Sequence, residues 1–230
     1  MSAVPAGFWR RYAAWTLDAA LLALPVLLLA WTPMVVAAAA LGTAFDALSM
    51  RVAAVMLEAM EAMPSALLPT RQMLDDPALQ HAATALQSAL GDLLLPPLLG
   101  FVALSLLWHV GFERSARQAT PGQRALGLMV VDARGQRLPA GHALLRFGAG
   151  ALSWLTLNLG HALAALPPRH LTLHDRVSGT RVVCRGSRAT RLPPWARLWI
   201  AMHGLALLAF NGWLLQRALQ AMQRGFDAAW

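Results

Sequence analysis

The chain has 230 residues, of which 57% are hydrophobic and 13% are charged, and its mean hydropathy is +0.50. Soluble domains carry roughly 25% charged residues, so this composition excludes an ordinary soluble domain and indicates an integral membrane protein. The net charge is +8, but the arginines flank apolar segments and form no separate basic region. We therefore expect anionic lipid headgroups as partners, and not nucleic acid.

The first uncharged run extends from Ala19 to Phe45, which exceeds the roughly 20 residues needed to span a membrane. Pro25 and Pro33 are expected to kink or end this helix. Asp18 precedes the run, and Arg11 lies two helical turns earlier on nearly the same face. A carboxylate near the start of a membrane-spanning helix costs free energy unless it is protonated, paired or facing water. Two interpretations stay open: a proton- or cation-binding carboxylate, and an ion pair with Arg11 that fixes helix packing.

Residues 46–92 form an acidic stretch between the first and second uncharged runs. Six acidic residues face two arginines here: Asp46, Glu58, Glu61, Asp75, Asp76 and Asp92 against Arg51 and Arg71. We predict an extracytoplasmic connector containing two amphipathic helices, broken near Pro64 and Pro69. This acidic connector is a candidate docking region for a protein partner.

A second span is predicted over Leu93 to Phe112, and strand-like residues follow it. Leu126 to Val131 has the apolar, β-branched composition of a strand, and residues 133–136 can turn. The pattern predicts a β-hairpin over Leu128 to Leu138. A second strand, GTRVV at residues 179–183, is expected to pair with this hairpin on the cytoplasmic side.

The third uncharged run, residues 147–166, contains Asn158 and Gly160, which weaken it as a plain helix. Both its flanks are rich in arginine, and arginine-rich loops favour the cytoplasmic side. One interpretation is a re-entrant or interfacial segment of two short helices, broken near Asn158 and Gly160. The alternative is a true crossing that violates the charge rule. A fourth run, residues 198–215, predicts an extra C-terminal span within 198–230.

Few residues outside these runs suggest chemistry. Asp175 is interpreted either as an ordinary turn acid or as a group that meets Arg11 or Arg146 and completes a charged cluster with Asp18. His170 and His174 have a metal-ligand spacing, but no second strong pair accompanies them. Because no nucleophile–base, metal or nucleotide motif is present, we expect no enzyme activity, no metal and no cofactor.

Three segments together resemble the RDD family of bacterial membrane proteins, which is named for one arginine and two aspartates. They are RYAAWTLD at residues 11–18, TPGQRALGLMVVDARGQRLPAGHALLR at residues 120–146 and LHDRVSGTRVV at residues 173–183. The resemblance implies that the named residues are Arg11, Asp18 and Asp175, and that Arg146 also matches a recurrent position. Some family members have been linked to sodium–proton exchange, although the family has no settled general function.

This chain departs from the family pattern in two respects. Gln123 stands where the family usually has a lysine, so the resemblance implies no role for that charge here. The long acidic connector and residues 198–215 lie beyond the common three-span core, so another member's topology is not copied onto this chain.

We therefore predict one membrane domain over residues 1–230 with an RDD-like core at 8–183. The expected fold is an all-α integral membrane helical bundle of about four hydrophobic segments, one of them a candidate re-entrant segment, with a small cytoplasmic β-hairpin or sheet. We expect a multi-pass protein of the bacterial inner membrane with a cytoplasmic N-terminus. The leading hypothesis is a transporter-like protein that handles a proton or small cation; the alternative is a non-transporting scaffold or accessory subunit. In the first the cluster of Arg11, Asp18, Asp175 and Arg146 binds the ion, and in the second it is structural.

Overall fold

The computed structural model describes residues 4–61, 75–156, 158–186 and 191–228. It is mostly helical, with one small antiparallel sheet, as predicted. The elements in chain order are α1 (Phe8–Glu61), α2 (Pro77–Glu113), α3 (Pro121–Ala125), β1 (Leu128–Asp132), α4 (Ala140–Leu155), α5 (Leu159–Ala162), a 3₁₀ turn (Leu163–Ala165), α6 (Leu173–Ser178), β2 (Thr180–Cys184) and α7 (Pro194–Ala228).

Within the described residues, three helices are long and apolar enough to cross a membrane. The qualifying segments are Phe8–Glu58, Pro77–Glu113 and Pro194–Arg217, and at most 6% of the most apolar window of each is buried inside the protein. Apolar surface of this extent is unfavourable in water and suited to lipid. These helices correspond to the first, second and fourth uncharged runs.

Two of these helices extend well into the predicted acidic connector. Helix α1 continues to Glu61 without ending at Pro25 or Pro33, and α2 begins at Pro77 and contains Pro96 and Pro97. Of the two effects expected of these prolines, a kink or an end, the end of the helix is therefore wrong, because apolar membrane helices tolerate the loss of the hydrogen bond that each proline removes. The predicted breaks near Pro64 and Pro69 lie outside the described residues.

The start of α2 is fixed by a side-chain cap and an ion pair. Asp76 Oδ1 accepts hydrogen bonds from the backbone N–H groups of Ala78 (2.7 Å) and Leu79 (3.0 Å). Arg51 of α1 donates from Nε to Asp76 Oδ2 at 2.9 Å. One carboxylate therefore caps α2 and joins it to α1.

The predicted hairpin is wrong in its pairing, although the two strands that the sequence indicated do pair. Strand β1 pairs with β2 in antiparallel register, with Val130 opposite Val182 and Asp132 opposite Thr180. The chain turns after Asp132, whose Oδ1 accepts from the backbone N–H of Gln136 at 2.7 Å. It then leads through Pro139 into α4, since proline lacks the N–H that a continuing ladder needs.

The segment before α1 is fastened to the free edge of β2. Ala6 donates its backbone N–H to Val182 O at 3.0 Å, and Cys184 donates its backbone N–H to Val4 O at 2.8 Å. These bonds hold the first turn of α1 against the sheet, which sets the position of Arg11.

The third uncharged run is not one helix. Helix α4 ends at Leu155, Asn158 takes a left-handed backbone conformation with φ of 65°, and α5 then covers only Leu159–Ala162. The break near Asn158 agrees with the prediction of two short helices. Among the described residues, this run is not one of the three helices long and apolar enough to cross a membrane.

The chain divides into two compact units. The first comprises the described residues within 1–25 and 100–204, and the second those within 26–99 and 205–230. All the predicted site residues belong to the first unit, which also contains α3 to α6 and the sheet.

Gly160 allows α5 to lie against its neighbours. A Cβ at this position would be 2.3 Å from Ser153 Oγ and 3.0 Å from Leu173 Cβ. We expect Gly160→Ala to destabilise the protein by about 1–3 kcal/mol through overpacking, measured as the free energy of unfolding in a detergent titration. Gly148→Ala is the matched control, because nothing lies within 4 Å of its added Cβ. Equal stability of the two variants would contradict the packing described.

Candidate functional site

Asp18 is buried in a clasp of neutral hydrogen-bond donors. Its side chain is 1% exposed. Oδ1 accepts from Trp108 Nε1 at 3.1 Å and from the backbone N–H of Gly122 at 2.9 Å, and Oδ2 accepts from Thr120 Oγ1 at 2.5 Å. The carboxylate of α1 is therefore held by α2 and by the start of α3.

The start of α3 is built to reach this carboxylate. Thr120 and Gln123 form a capping box in which Gln123 N donates to Thr120 Oγ1 and Thr120 N donates to Gln123 Oε1, and Pro121 occupies the first helical position. A Cβ on Gly122 would lie 2.2 Å from the backbone oxygen of Ala14. Only glycine lets the backbone of α3 come this close to α1.

Arg11 does not pair with Asp18, which corrects the prediction from their shared face. Its Nη1 donates to Asp175 Oδ2 at 2.6 Å, and its other donors go to the backbone oxygens of Ala6 and His170. Helical side chains lean toward the N-terminus of their helix. Arg11 therefore reaches back toward Ala6 and away from Asp18, which lies in the opposite direction along α1.

Asp175 pairs with both arginines that the sequence suggested. Oδ2 accepts from Arg11, Oδ1 accepts from Arg146 Nη1 of α4, and the same Arg146 nitrogen donates to Thr180 Oγ1 at 2.9 Å. Asp175 also closes a capping box with Thr172 at the start of α6, with Thr172 N donating to Oδ2 at 3.0 Å. The side chain of Asp175 thus joins α1, α4 and α6.

The two arginines fix the ionisation of this pair. Burial opposes the negative charge on Asp175, but Arg146 and Arg11 outweigh it and hold the pKa of Asp175 well below its usual range. Burial likewise opposes the charge of Arg146, but Asp175 and Glu113 outweigh it and raise the pKa of Arg146. Asp175 and Arg146 are therefore both charged at neutral pH.

Glu113 belongs to the site and was missed by the sequence analysis. It is buried at the end of α2, where Oε2 lies 3.2 Å from Arg146 Nε and Oε1 accepts from Gln123 Nε2 at 3.0 Å. A signal was present: Ser105, His109 and Glu113 recur every four residues, which places three polar groups on one face of an apolar helix. His109 Nδ1 lies 3.7 Å from Glu113 Oε1.

These contacts form one continuous polar chain through the first unit. In order it runs Asp18, Thr120, Gln123, Glu113, Arg146, Asp175 and Arg11. It contains three carboxylates and two guanidinium groups, so its formal charge is 2 − 3 = −1. The uncompensated carboxylate is Asp18, because both arginines are held by Asp175 and Glu113.

A model of the RDD family matches residues 5–179. The chain belongs to the RDD family. With long apolar helices over Phe8–Glu58, Pro77–Glu113 and Pro194–Arg217, this RDD-family chain is a membrane protein. It is 34% identical over 89 residues to the uncharacterized protein YxaI of Bacillus subtilis (strain 168). That match covers 39% of this chain and 58% of the relative's length. No solved structure matches the chain.

The polar chain of this RDD protein borders a cavity of about 390 Å³. Its charged lining residues are Arg11, Asp18, Glu113 and Arg146, and His109, His161 and His174 also line it. Burial, reinforced by Arg146, lowers the pKa of His161, and burial with Arg146 lowers the pKa of His174 further. Both rings are therefore neutral at neutral pH and add no positive charge to the cavity wall.

The described parts of the RDD chain hold no group of three or more His, Cys, Asp and Glu side chains arranged to bind a metal ion. His170, singled out by its spacing to His174, instead lies with its Nδ1 2.8 Å from the backbone oxygen of Ala164. The two histidines thus have separate surroundings.

We expect Asp175→Asn to destabilise the protein by about 3–5 kcal/mol, because it leaves two buried guanidinium groups without their common counter-ion. The free energy of unfolding in a detergent titration measures this loss. Arg176→Gln is the matched control, since Arg176 is exposed on the same helix and its loss is expected to change stability by no more than about 0.5 kcal/mol. If both variants unfolded alike, Asp175 would not have the structural role assigned to it.

Proposed function

We propose that this RDD-family protein handles a cation or a proton across the membrane and that Asp18 is its site carboxylate. The observation that carries the proposal is the formal charge of −1 on the buried polar chain, in which Asp18 has no basic partner among the described residues. An unpaired carboxylate in an apolar span costs several kcal/mol. Uptake of a proton or cation from the cavity removes that cost.

Exchange follows from competition for the oxygens of Asp18. A cation that enters the cavity displaces some of the three donors now bound to the carboxylate, and a proton on the carboxyl group displaces the cation in turn. Thr120 is the donor best suited to this step, because a hydroxyl group can rotate and donates or accepts equally well. Arg11, paired with Asp175, is a structural element of this mechanism and not the competing charge.

A scaffold or accessory subunit is the second candidate, and one observation favours it. Both oxygens of Asp18 are already satisfied by donors of the protein itself, so the carboxylate can serve to lock α3 against α1 and α2. In that case replacing Asp18 lowers the stability of the protein, and the wild type itself has no ion flux.

The orientation that fits this proposal puts the first unit on the cytoplasmic side of the bacterial inner membrane. The first unit contains the start of α1, the end of α2 and the start of α7. Arginines gather around these helix ends, among them Arg10, Arg114, Arg117, Arg124 and Arg197. Arginine-rich segments are retained on the cytoplasmic side. The N-terminus is then cytoplasmic.

We expect Asp18→Asn to abolish cation-coupled proton flux in proteoliposomes, measured with an internal pH dye under an imposed sodium or potassium gradient. Asparagine has the shape of aspartate and can still form hydrogen bonds with Trp108, Thr120 and Gly122, so the variant should insert into the membrane and purify like the wild type. Flux that survives in Asp18→Asn would refute the mechanism. A wild type without flux, together with an unstable Asp18→Asn, would favour the scaffold.

A second test changes the formal charge of the polar chain but keeps Asp18 itself. Gln123 Nε2 lies 3.0 Å from Glu113 Oε1, so Gln123→Lys places a positive charge beside Glu113 and brings the formal charge from −1 to 0. We expect flux to fall by about tenfold or more, the factor given by about 1.4 kcal/mol of lost affinity. Gln123→Met is the control, because methionine has a similar length and, like lysine, cannot accept the backbone N–H of Thr120, but it adds no charge. Equal flux in the two variants would show that the charge of the cluster does not matter.

A further inference from the structure

The cavity beside Asp18 is large for an inorganic ion and largely apolar. Its volume of about 390 Å³ falls within the range of roughly 300–1,000 Å³ that is typical of small-molecule sites. Aromatic and aliphatic side chains supply much of its wall, namely Phe8, Tyr12, Trp15, Leu128, Phe147 and Leu159. A bare cation would leave this apolar wall without a partner.

The charged part of the wall is one contiguous region. Asp18, Glu113, Arg11 and Arg146 line the cavity and belong to the same hydrogen-bonded polar chain, whose formal charge is −1 when Asp175, which is not among the lining residues, is counted. Glu113 is paired with Arg146, whereas neutral donors hold Asp18. A group that binds against Asp18 is therefore favoured if it carries a positive charge.

The cavity reaches the protein surface beside apolar side chains. Trp15 and Leu159 both line the cavity, yet they are 40% and 67% exposed. Trp15 also lies within the membrane-spanning segment Phe8–Glu58. An apolar rim at a membrane helix admits a molecule whose apolar portion remains near the surface while its charged end reaches the interior.

We infer that this cavity binds an amphiphilic organic ammonium ion, with the ammonium group against Asp18 and the apolar portion against Trp15 and Leu159. The inference rests on the proposed function and names the class of cation. A hard metal ion such as Ca²⁺ takes roughly six to eight oxygen ligands, and no group of three or more His, Cys, Asp and Glu side chains among the described residues is arranged to hold a metal ion. An ammonium group needs only a negative field and aromatic faces, and Phe8, Trp15 and Phe147 supply the aromatic rings.

The test compares two molecules that differ only in charge. Benzyltrimethylammonium and its neutral carbon isostere, neopentylbenzene, have nearly the same shape. We expect radiolabelled benzyltrimethylammonium to bind the full-length protein in lipid nanodiscs, with empty nanodiscs as the blank. Neopentylbenzene should require a concentration about tenfold higher or more than unlabelled benzyltrimethylammonium to halve that binding.

Three variants assign the binding to this cavity. Asp18→Asn should weaken binding of benzyltrimethylammonium by about tenfold or more, because it removes the uncompensated charge. Trp15→Leu should weaken it through loss of the aromatic ring. Trp31→Leu should leave it unchanged, since Trp31 is exposed on the same helix and is not among the described residues that line the cavity.

The outcomes separate this inference from the proposed function. Equal competition by the neutral isostere, or unchanged affinity in Asp18→Asn, would overturn the organic-cation site. Proton flux coupled to sodium or potassium, without any binding of benzyltrimethylammonium, would also overturn it and leave the proposed function standing. Binding that follows the expected pattern in a protein without flux would support the site and refute transport.

Discussion

The carboxylate of Asp175 joins three helices through one buried group. It pairs with Arg11 of α1 and Arg146 of α4 while it caps α6. Two buried guanidinium groups cost several kcal/mol each unless a counter-ion meets them, so these helices are stable only when they meet at this point. The backbone bonds from Ala6 to β2 place α1 against the sheet from the other side, and together they determine where the first turns of α1 lie.

Asp18 differs from Asp175 in its partners, although both are buried aspartates. Neutral donors from Trp108, Thr120 and Gly122 surround it, and the arginines are engaged elsewhere. This difference affects binding. A closed ion pair has no net charge and does not attract a cation, whereas neutral donors around a carboxylate do not cancel its charge. The negative charge and the cavity together are the basis of the binding site that we propose around Asp18, and the ion pairs of Asp175 join the helices beside it.

Features set by neighbouring residues could be predicted from the sequence. Features that depend on the direction of a side chain, or on partners distant in the chain, could not. The break near Asn158 could be predicted because short polar and small residues interrupted an apolar run. The pairing of Arg11 with Asp18 was inferred from a shared helix face, but a shared face does not say which way a long side chain leans. The hairpin was inferred from a turn after Asp132, yet strand pairing depends on which segment can complete the sheet, and β2 lies about 50 residues further along the chain.

Local features of the sequence were enough to predict a membrane protein with long apolar helices, a broken third run and a small β element, because apolar length and helix-breaking residues act locally. The resemblance of three short segments was enough to identify the family. Three features depend on how the chain folds and could not be predicted from local patterns: the partners of each charge, the inclusion of Glu113 and the cavity beside Asp18. Hydrogen bonds and ion pairs act over about 3 Å, so they exist only once residues that are distant in the chain have been brought together.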